Sequence, residues 1–272
     1  MQNVLVIGAG RVGKGISTEL TNKGYRVENY SSKELEANSN LPFSLFDFDT
    51  FYWCARESGI PTDISNTGKL FSTLLFEIEK LRWKGLFVFL SSAGEVYGEG
   101  LGYPAFEKSP LKPISDYGRS KVRNEVLLME LANSVGFHLL IARISSIYEL
   151  QIEDPGIFGA ILRSLYLKHE LTIVGGHQSR DFIHLQDVIN CLIVLAEGKN
   201  YSVFNLATGK SITIFDLVKI FEDEVGPMNQ VTVIDGVDGI QQSHLSIEKI
   251  KAVVTDFPQP VREKIGKMIF RI

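Results

Sequence analysis

Cysteine is scarce: the 272 residues hold two, Cys54 and Cys191, each inside an apolar run and far from the other. That argues against a disulfide framework and fits buried, reduced thiols of a cytoplasmic protein. No Cys-His cluster has the spacing of a metal centre, so no metal is expected. Nor is there an excess of basic residues, because 28 Lys+Arg stand against 32 Asp+Glu for a net charge of -4. The charges are interspersed without a basic stripe, so no nucleic-acid partner is expected. No apolar run approaches the ~20 residues that span a bilayer. The opening Met1-Gln2-Asn3 lacks the basic region and cleavage site of a signal peptide. Repeats and low-complexity linkers are absent too. What remains, a chain that is 44% hydrophobic, is enough for one large domain or one domain with a smaller appendage.

The chain opens on Val4-Leu5-Val6-Ile7, an apolar run of the kind found in parallel strands buried on both faces. Gly8-Ala9-Gly10-Arg11-Val12-Gly13 follows, and Ile16 and Leu20 continue an amphipathic helix closed near Gly24. Strand, glycine loop and helix in that order suit a dinucleotide: a tight turn, close backbone approach, and helix amides aimed at a pyrophosphate. The next strand, Tyr25 to Tyr30, ends in Ser31-Ser32-Lys33. Hydroxyls and a cation there suit a 2'-phosphate and favour NADP, whereas Glu28, inside the strand, would restore NAD if the boundary moved. A short strand over Phe43 to Phe46 is expected next, with Asp47 and Phe48 in a loop that touches adenine or, as the alternative, in a simple turn. Cys54 and Ala55, ending the strand Thr50 to Ala55, join the same cofactor site, as does Ser91.

Leu86 to Leu90 is a further apolar strand, and it delivers Ser91-Ser92-Ala93-Gly94-Glu95-Val96-Tyr97-Gly98 at the edge where open α/β sheets bind ligands. Tyr117 and Lys121 lie four apart at the head of the next apolar-periodic segment, so on a helix they share a face. A cation held beside a phenol stabilises the phenolate and makes tyrosine a usable proton donor and acceptor. Helices are expected over Asn66–Leu81, Asp154–Leu167, Val188–Ala196, Ile214–Val225 and Leu245–Val254, and strands over Leu139–Arg143, Leu171–Val174, Val203–Leu206 and Val231–Ile234.

With these residues in hand, the sequence resembles the extended short-chain dehydrogenase/reductase family, in particular its nucleotide-sugar epimerases and dehydratases. Four segments carry the likeness: the loop Gly8 to Gly13, the run from Ser91 to Gly98, Tyr117 to Lys121, and Arg180-Asp181-Phe182-Ile183-His184. Asn66 and the run Phe204 to Gly209 are weaker echoes, and the likeness covers roughly residues 1 to 250.

The resemblance implies an α/β Rossmann fold, a doubly wound parallel sheet with a smaller α/β C-terminal substrate lobe. Residues 1–147 would bind NAD(P), with 178–209 returning to that part, and 148–272 would mainly bind substrate. It implies Tyr117 as acid/base, Lys121 as the residue that positions the nicotinamide ribose and tunes the tyrosine, and an assisting hydroxyl. Counting back from Tyr97, that hydroxyl position falls on Ala93, so the role passes to Ser92 or is lost. Glu95 stands where the dehydratases carry a catalytic acid, but their accompanying Thr-Asp reads Ala93-Gly94 here. Dehydration is therefore not the expected chemistry, and Glu95 is assigned to the substrate site, with a structural carboxylate as the alternative. Relatives show Arg-x-x-Asn-x-Tyr-Gly-Pro where this chain has Arg143-Ile144-Ser145-Ser146-Ile147-Tyr148-Glu149-Leu150. Ser146 thus takes the place of the asparagine that contacts the sugar nucleotide. Arg180 offers a charged fork for a diphosphate, or a structural pair with Asp181 or Asp187. The resemblance implies a homodimer through the helices Asn66–Leu81 and Tyr117–Gly136, with ordinary core packing of their apolar faces as the alternative. The implied activity is a UDP-hexose 4-epimerase type, with an NADPH-dependent 4-keto nucleotide-sugar reductase and a non-catalytic NADP-binding relative as alternatives.

Overall fold

The computed structural model describes residues 2–36, 41–55, 66–100, 104–236 and 239–268. The chain enters through strand β1 (Asn3–Ile7), whose four residues from Val4 on are buried, and turns at Gly8 into helix α1 (Arg11–Asn22). Gly13, Ile16 and Leu20 form the buried stripe of α1, a spacing that follows the helical repeat. Strand β2 (Arg26–Tyr30) leads to the short helix α2 (Ser32–Glu36). Strand β3 (Thr50–Trp53), helix α3 (Asn66–Leu81), strand β4 (Leu86–Ser92), helix α4 (Ala93–Tyr97), helix α5 (Asp116–Val135) and strand β5 (His138–Ile144) complete the first half.

The second half begins with β6 (Ser146–Tyr148), α6 (Ile157–Leu167), β7 (Glu170–Val174), β8 (Ser179–His184), α7 (Leu185–Glu197) and β9 (Val203–Leu206). It ends with β10 (Ser211–Thr213), α8 (Ile214–Glu224), β11 (Gln230–Ile234), α9 (Glu248–Lys251) and α10 (Val261–Met268).

Six strands form one sheet in the order β2-β1-β3-β4-β5-β9, every neighbouring pair parallel. Both faces are covered. Ile16 and Leu20 of α1 and Val188 and Leu192 of α7 pack on one side, and Leu70, Leu74 and Ile78 of α3 with Leu128 of α5 pack on the other. Each fully buried leucine or phenylalanine there contributes about 1.5–3 kcal/mol relative to exposure. A third cluster joins Phe158, Leu171, Phe182, Leu217 and Val261 into a smaller lobe built on β6, β8 and β10, with β7 and β11 paired beside it. Within 178–209, α7 and β9 join the main sheet, whereas β8 lies in the smaller one.

Three expectations need correction. The stretch Phe43 to Phe46 forms no strand; a single 3-10 turn, Leu45–Asp47, precedes β3. The helix expected over Leu245–Val254 is one turn long, Glu248–Lys251. Helix α6 begins at Ile157, because Asp154 accepts a hydrogen bond from the Gly156 amide and holds the preceding residues in a turn.

β2 lies on one side of β1 and β3 on the other, so the chain reverses direction across the sheet at β1. A crevice opens at such a switch point, at the carboxyl ends of the strands. The glycine loop sits there.

Candidate active site

Three strand ends converge on the glycine loop. The Gly8 amide donates to the Tyr30 carbonyl at 2.8 Å, and the Cys54 amide donates to the Ile7 carbonyl at 2.8 Å. This brings Ser31–Lys33 and Cys54–Ala55 to the two flanks of Gly8–Gly13. Gly8 has φ +118°, and a Cβ there would lie 2.6 Å from backbone atoms of Cys54 and Ala55. A Cβ on Gly13 would lie 1.9 Å from the Gly8 carbonyl oxygen, so helix and loop touch only because both lack side chains. Gly10 differs. Among the described residues beyond its chain neighbours, no atom lies within 4 Å of a Cβ placed on it, and the space it leaves adjoins the first amides of α1, which have no intrahelical partner. That cradle suits a phosphate.

Deeper in the crevice, Ser91 Oγ and Ser145 Oγ, near the ends of β4 and β5, are buried without a hydrogen-bond partner among the described residues. Leftover buried polar atoms beside an open glycine cradle fit a polar cofactor.

At the tip of β2, the Ser31 amide and hydroxyl both donate to Glu34 Oε2 at 2.7 Å, and the Glu34 amide donates to Ser31 Oγ at 3.2 Å. This capping box uses up the Ser31 hydroxyl and sets a carboxylate at the tip. Glu34 was missed in the sequence, although Ser-x-x-Glu after a strand end was its signal. Lys33 is exposed and Ser32 half-buried. Glu28 points back within the strand, where it accepts from the Tyr30 hydroxyl at 3.0 Å.

Asp47 and Phe48 are not at this site. Asn3, at the opposite end of β1, donates to the Asp47 carbonyl at 2.7 Å, and Phe48 is 4% exposed with its carbonyl accepting from Trp83 Nε1 at 3.0 Å. The reason is topological: β3 is parallel to β1, so residues just before β3 must lie at its amino edge, opposite the glycine loop. A groove of about 780 Å³ also lies at that amino edge, between Gln2, Lys23, Tyr52, Trp83 and Tyr201; Phe48 lines it, and the other candidate residues do not.

Helix α5 carries the central pair. Ser115 caps it, accepting from the Gly118 amide at 2.9 Å. Lys121 is 2% exposed, donates from Nζ to the Leu90 carbonyl at 3.0 Å, and holds Nζ 5.5 Å from the centroid of the Tyr117 ring. The ammonium thus sits between the tyrosine and the end of β4. Tyr117 is half-buried. A Cβ on Gly118 would meet the Glu95 carbonyl oxygen at 2.5 Å, so this glycine lets α5 press against α4 and brings Tyr117 beside the Ser92–Glu95 segment. Ser92 is half-buried with no cap bond from its side chain, and Ala93 is fully buried.

The carboxylate of Glu95 accepts from the Ser115 hydroxyl. Across the crevice stands Arg180 on β8, which donates to the Ser179 carbonyl at 2.8 Å. Burial pulls Arg180 down from its ordinary value, while the carboxylates of Glu99 and Glu95 oppose the shift. The anticipated structural partners are otherwise engaged. Asp181 accepts from the Thr208 amide and hydroxyl and the Gly209 amide, and Asp187 accepts from Lys264. Ser146 is half-buried on β6, paired with Phe182 of β8.

Behind the pair lies a residue missed in the sequence. Glu125, fully buried, meets Arg143 of β5 through two bonds to Nε at 3.2 and 3.1 Å and one to Nη2 at 2.6 Å. Tyr117, Lys121 and Glu125 are spaced four by four, so one helix stripe bears all three.

Residues 4–207 match the model of the NAD dependent epimerase/dehydratase family. The chain belongs to that family. A protein of Methanocaldococcus jannaschii assigned as a UDP-glucose 4-epimerase is 32% identical over 155 residues, 56% of this chain and 48% of that protein. The dTDP-4-dehydro-6-deoxyglucose reductase of Escherichia coli is 31% identical over 140 residues, 50% of this chain and 44% of that one. The alignments thus span about half the length of these curated relatives. The solved UDP-glucose 4-epimerase of Thermotoga maritima, with UDP-glucose, superposes with a TM-score of 0.80 at 24% identity, covering 99% of both chains. That likeness establishes the shared Rossmann architecture of the family.

Proposed function

We propose that this family member is an NAD(P)-dependent enzyme that inverts a hydroxyl-bearing carbon of a nucleotide-activated hexose. The observation that carries the reading is Lys121, buried between Tyr117 and the end of β4, at the crevice that the glycine loop enters. Tyr117 takes the proton of the sugar hydroxyl, and Lys121 stabilises the phenolate that accepts it. Ser92 shares a hydrogen bond with the same oxygen in place of Ala93. A nicotinamide held by the Gly8–Gly13 loop and Lys121 would supply a hydride acceptor and donor at the sugar C4, so that oxidation there and reduction from the other face balance. Arg180, held charged opposite Glu95 and Glu99, binds the diphosphate. Ser146 lies on the sugar side. The family's name and the M. jannaschii relative support epimerisation.

A second reading, one-way reduction of a 4-keto nucleotide-sugar, is supported by the E. coli relative. The two use the same proton chemistry and differ in whether the dinucleotide stays bound. Glu34 at the β2 tip favours the free 2'-hydroxyl of NAD over a 2'-phosphate, against the pull of Lys33. Exposed Phe76 on α3 and Val126 and Leu127 on α5 support association through these helices.

The test is chromatography of nucleotide released on denaturation, followed by turnover of UDP-glucose and of a 4-keto nucleotide-sugar. Stoichiometric NAD with interconversion of UDP-hexoses is the expected result. Consumption of added NADPH without retained nucleotide would favour the reductase. Tyr117→Phe should lower kcat about 10²–10⁴-fold with little change in KM, and full turnover in that variant would sink the mechanism.

A further inference from the structure

Arg11 belongs to the glycine loop, yet its guanidinium reaches away from it. Nη1 donates to Glu149 Oε2 and to Asp154 Oδ2, both at 2.8 Å. These acceptors lie 138 and 143 residues further on, in the turn between β6 and α6. The carboxylates are sheltered, with side chains 15% and 4% exposed, while that of Arg11 is 45% exposed. Asp154 also shapes the turn, accepting from the Glu149 amide at 3.2 Å and the Gly156 amide at 2.7 Å. Glu149 stands where the family pattern has glycine, which could not make this contact. One cation therefore faces two carboxylates, beside helix amides that attract anions.

We propose that Arg11, Glu149 and Asp154 form a latch that ties turn 149–156 to the phosphate loop and competes with the phosphates of a dinucleotide for the Arg11 guanidinium. A guanidinium fork binds phosphate as readily as carboxylate, and a phosphate on the first amides of α1 brings negative charge beside Arg11. As Arg11 turns to it, Glu149 and Asp154 lose their cation and the turn is released. That turn follows directly on β6, which carries Ser146, so occupancy of the glycine loop is transmitted to the substrate lobe. The dinucleotide itself is taken from the function proposed above.

The test uses Arg11→Met, Glu149→Gln and the double variant, with NADH and NADPH titrated by fluorescence and thermal midpoints taken without ligand. Arg11→Met removes the guanidinium that a phosphate would recruit and should weaken binding about tenfold; Glu149→Gln should tighten it about threefold. With Arg11 gone Glu149→Gln has no competition to relieve, so the double variant should bind more weakly than the product of the two single effects, and without ligand the two losses of thermal midpoint should be non-additive, because each breaks the same bridge. Independent effects on dissociation constants, or lowered midpoints with unchanged affinity, would overturn the latch and leave a structural ion pair. Failure of the wild-type protein to bind either dinucleotide would overturn the proposed function and the competition together, whereas wild-type binding without coupling would overturn the latch alone.

Discussion

Replacing Arg143 by methionine should destabilise the protein and loosen helix α5, and the size of the effect follows from what surrounds the guanidinium. Its side chain is 4% exposed and that of Glu125 1%. Besides its three contacts with Glu125, Arg143 donates to the Tyr97 hydroxyl at 2.9 Å and the Glu107 carbonyl at 3.0 Å. Tyr97 passes the network on to Asn205 of β9 at 2.8 Å. Methionine would leave a buried carboxylate without its cation, which costs about 3–5 kcal/mol. Against a total stability of about 5–15 kcal/mol, and a urea slope of about 3 kcal/mol per M, the midpoint should fall by about 1–2 M. The double variant Arg143→Met with Glu125→Leu removes both charges and should recover most of that loss, since an apolar pair of similar volume is close to neutral. Chemical denaturation followed by far-UV dichroism measures both. A midpoint within about 0.3 M of wild type for the single variant, or a double variant as unstable as the sum of the singles, would refute the account of Glu125 as a buried charge held by Arg143. Turnover should fall in the single variant as well, because Lys121 and Tyr117 lie one and two turns from Glu125 on the same stripe.

Three further outcomes are expected. Burial pushes the thiols of Cys54 and Cys191 up to about 12, with Lys121 partly offsetting the effect at Cys54; at pH 8 the buried Cys191 should not react with a disulfide reagent until the protein is denatured, and the half-buried Cys54 should react far more slowly than in the unfolded chain. Burial, and then Lys264, hold His184 below its ordinary value, while Asp187 and Glu149 act the other way. The unfolded chain therefore binds a proton below about pH 6.5 that the native imidazole resists, so stability present above that pH is lost as pH falls. His184→Asn, which keeps an acceptor for the Gln186 amide now bonded at 3.2 Å, should flatten the fall in urea midpoint between pH 7 and pH 5; an unchanged slope would reject this origin. Glu34→Gln removes the carboxylate at the β2 tip and should narrow any preference for NAD over NADP by about threefold to tenfold, read from paired titrations; an unchanged ratio would remove Glu34 from cofactor selection.

The sequence by itself determined the strands of the main sheet and the long helices between them, because apolar runs bounded by glycine and helical stripes such as Leu70, Leu74 and Ile78 depend only on local period; the short strands β6, β8 and β10 carry no such pattern. It also determined that Tyr117 and Lys121 share a face, and that Gly8 to Gly13 follow a strand. Glu125 and Glu34 were within reach of the same reasoning, one by the continued spacing of four and the other by Ser-x-x-Glu. Tertiary structure alone decided which edge of the sheet each loop occupies. Asp47 and Phe48 fall at the amino edge because the strand after them runs parallel to β1, a fact of pairing that no local pattern carries. It alone decided that Gly118 closes α5 onto α4, that Asp181 is spent on Thr208 and Gly209 while Arg180 faces Glu95 and Glu99, and that Arg11 meets Glu149 across 138 residues. Such contacts depend on how separate elements pack, and packing is a property of the whole chain.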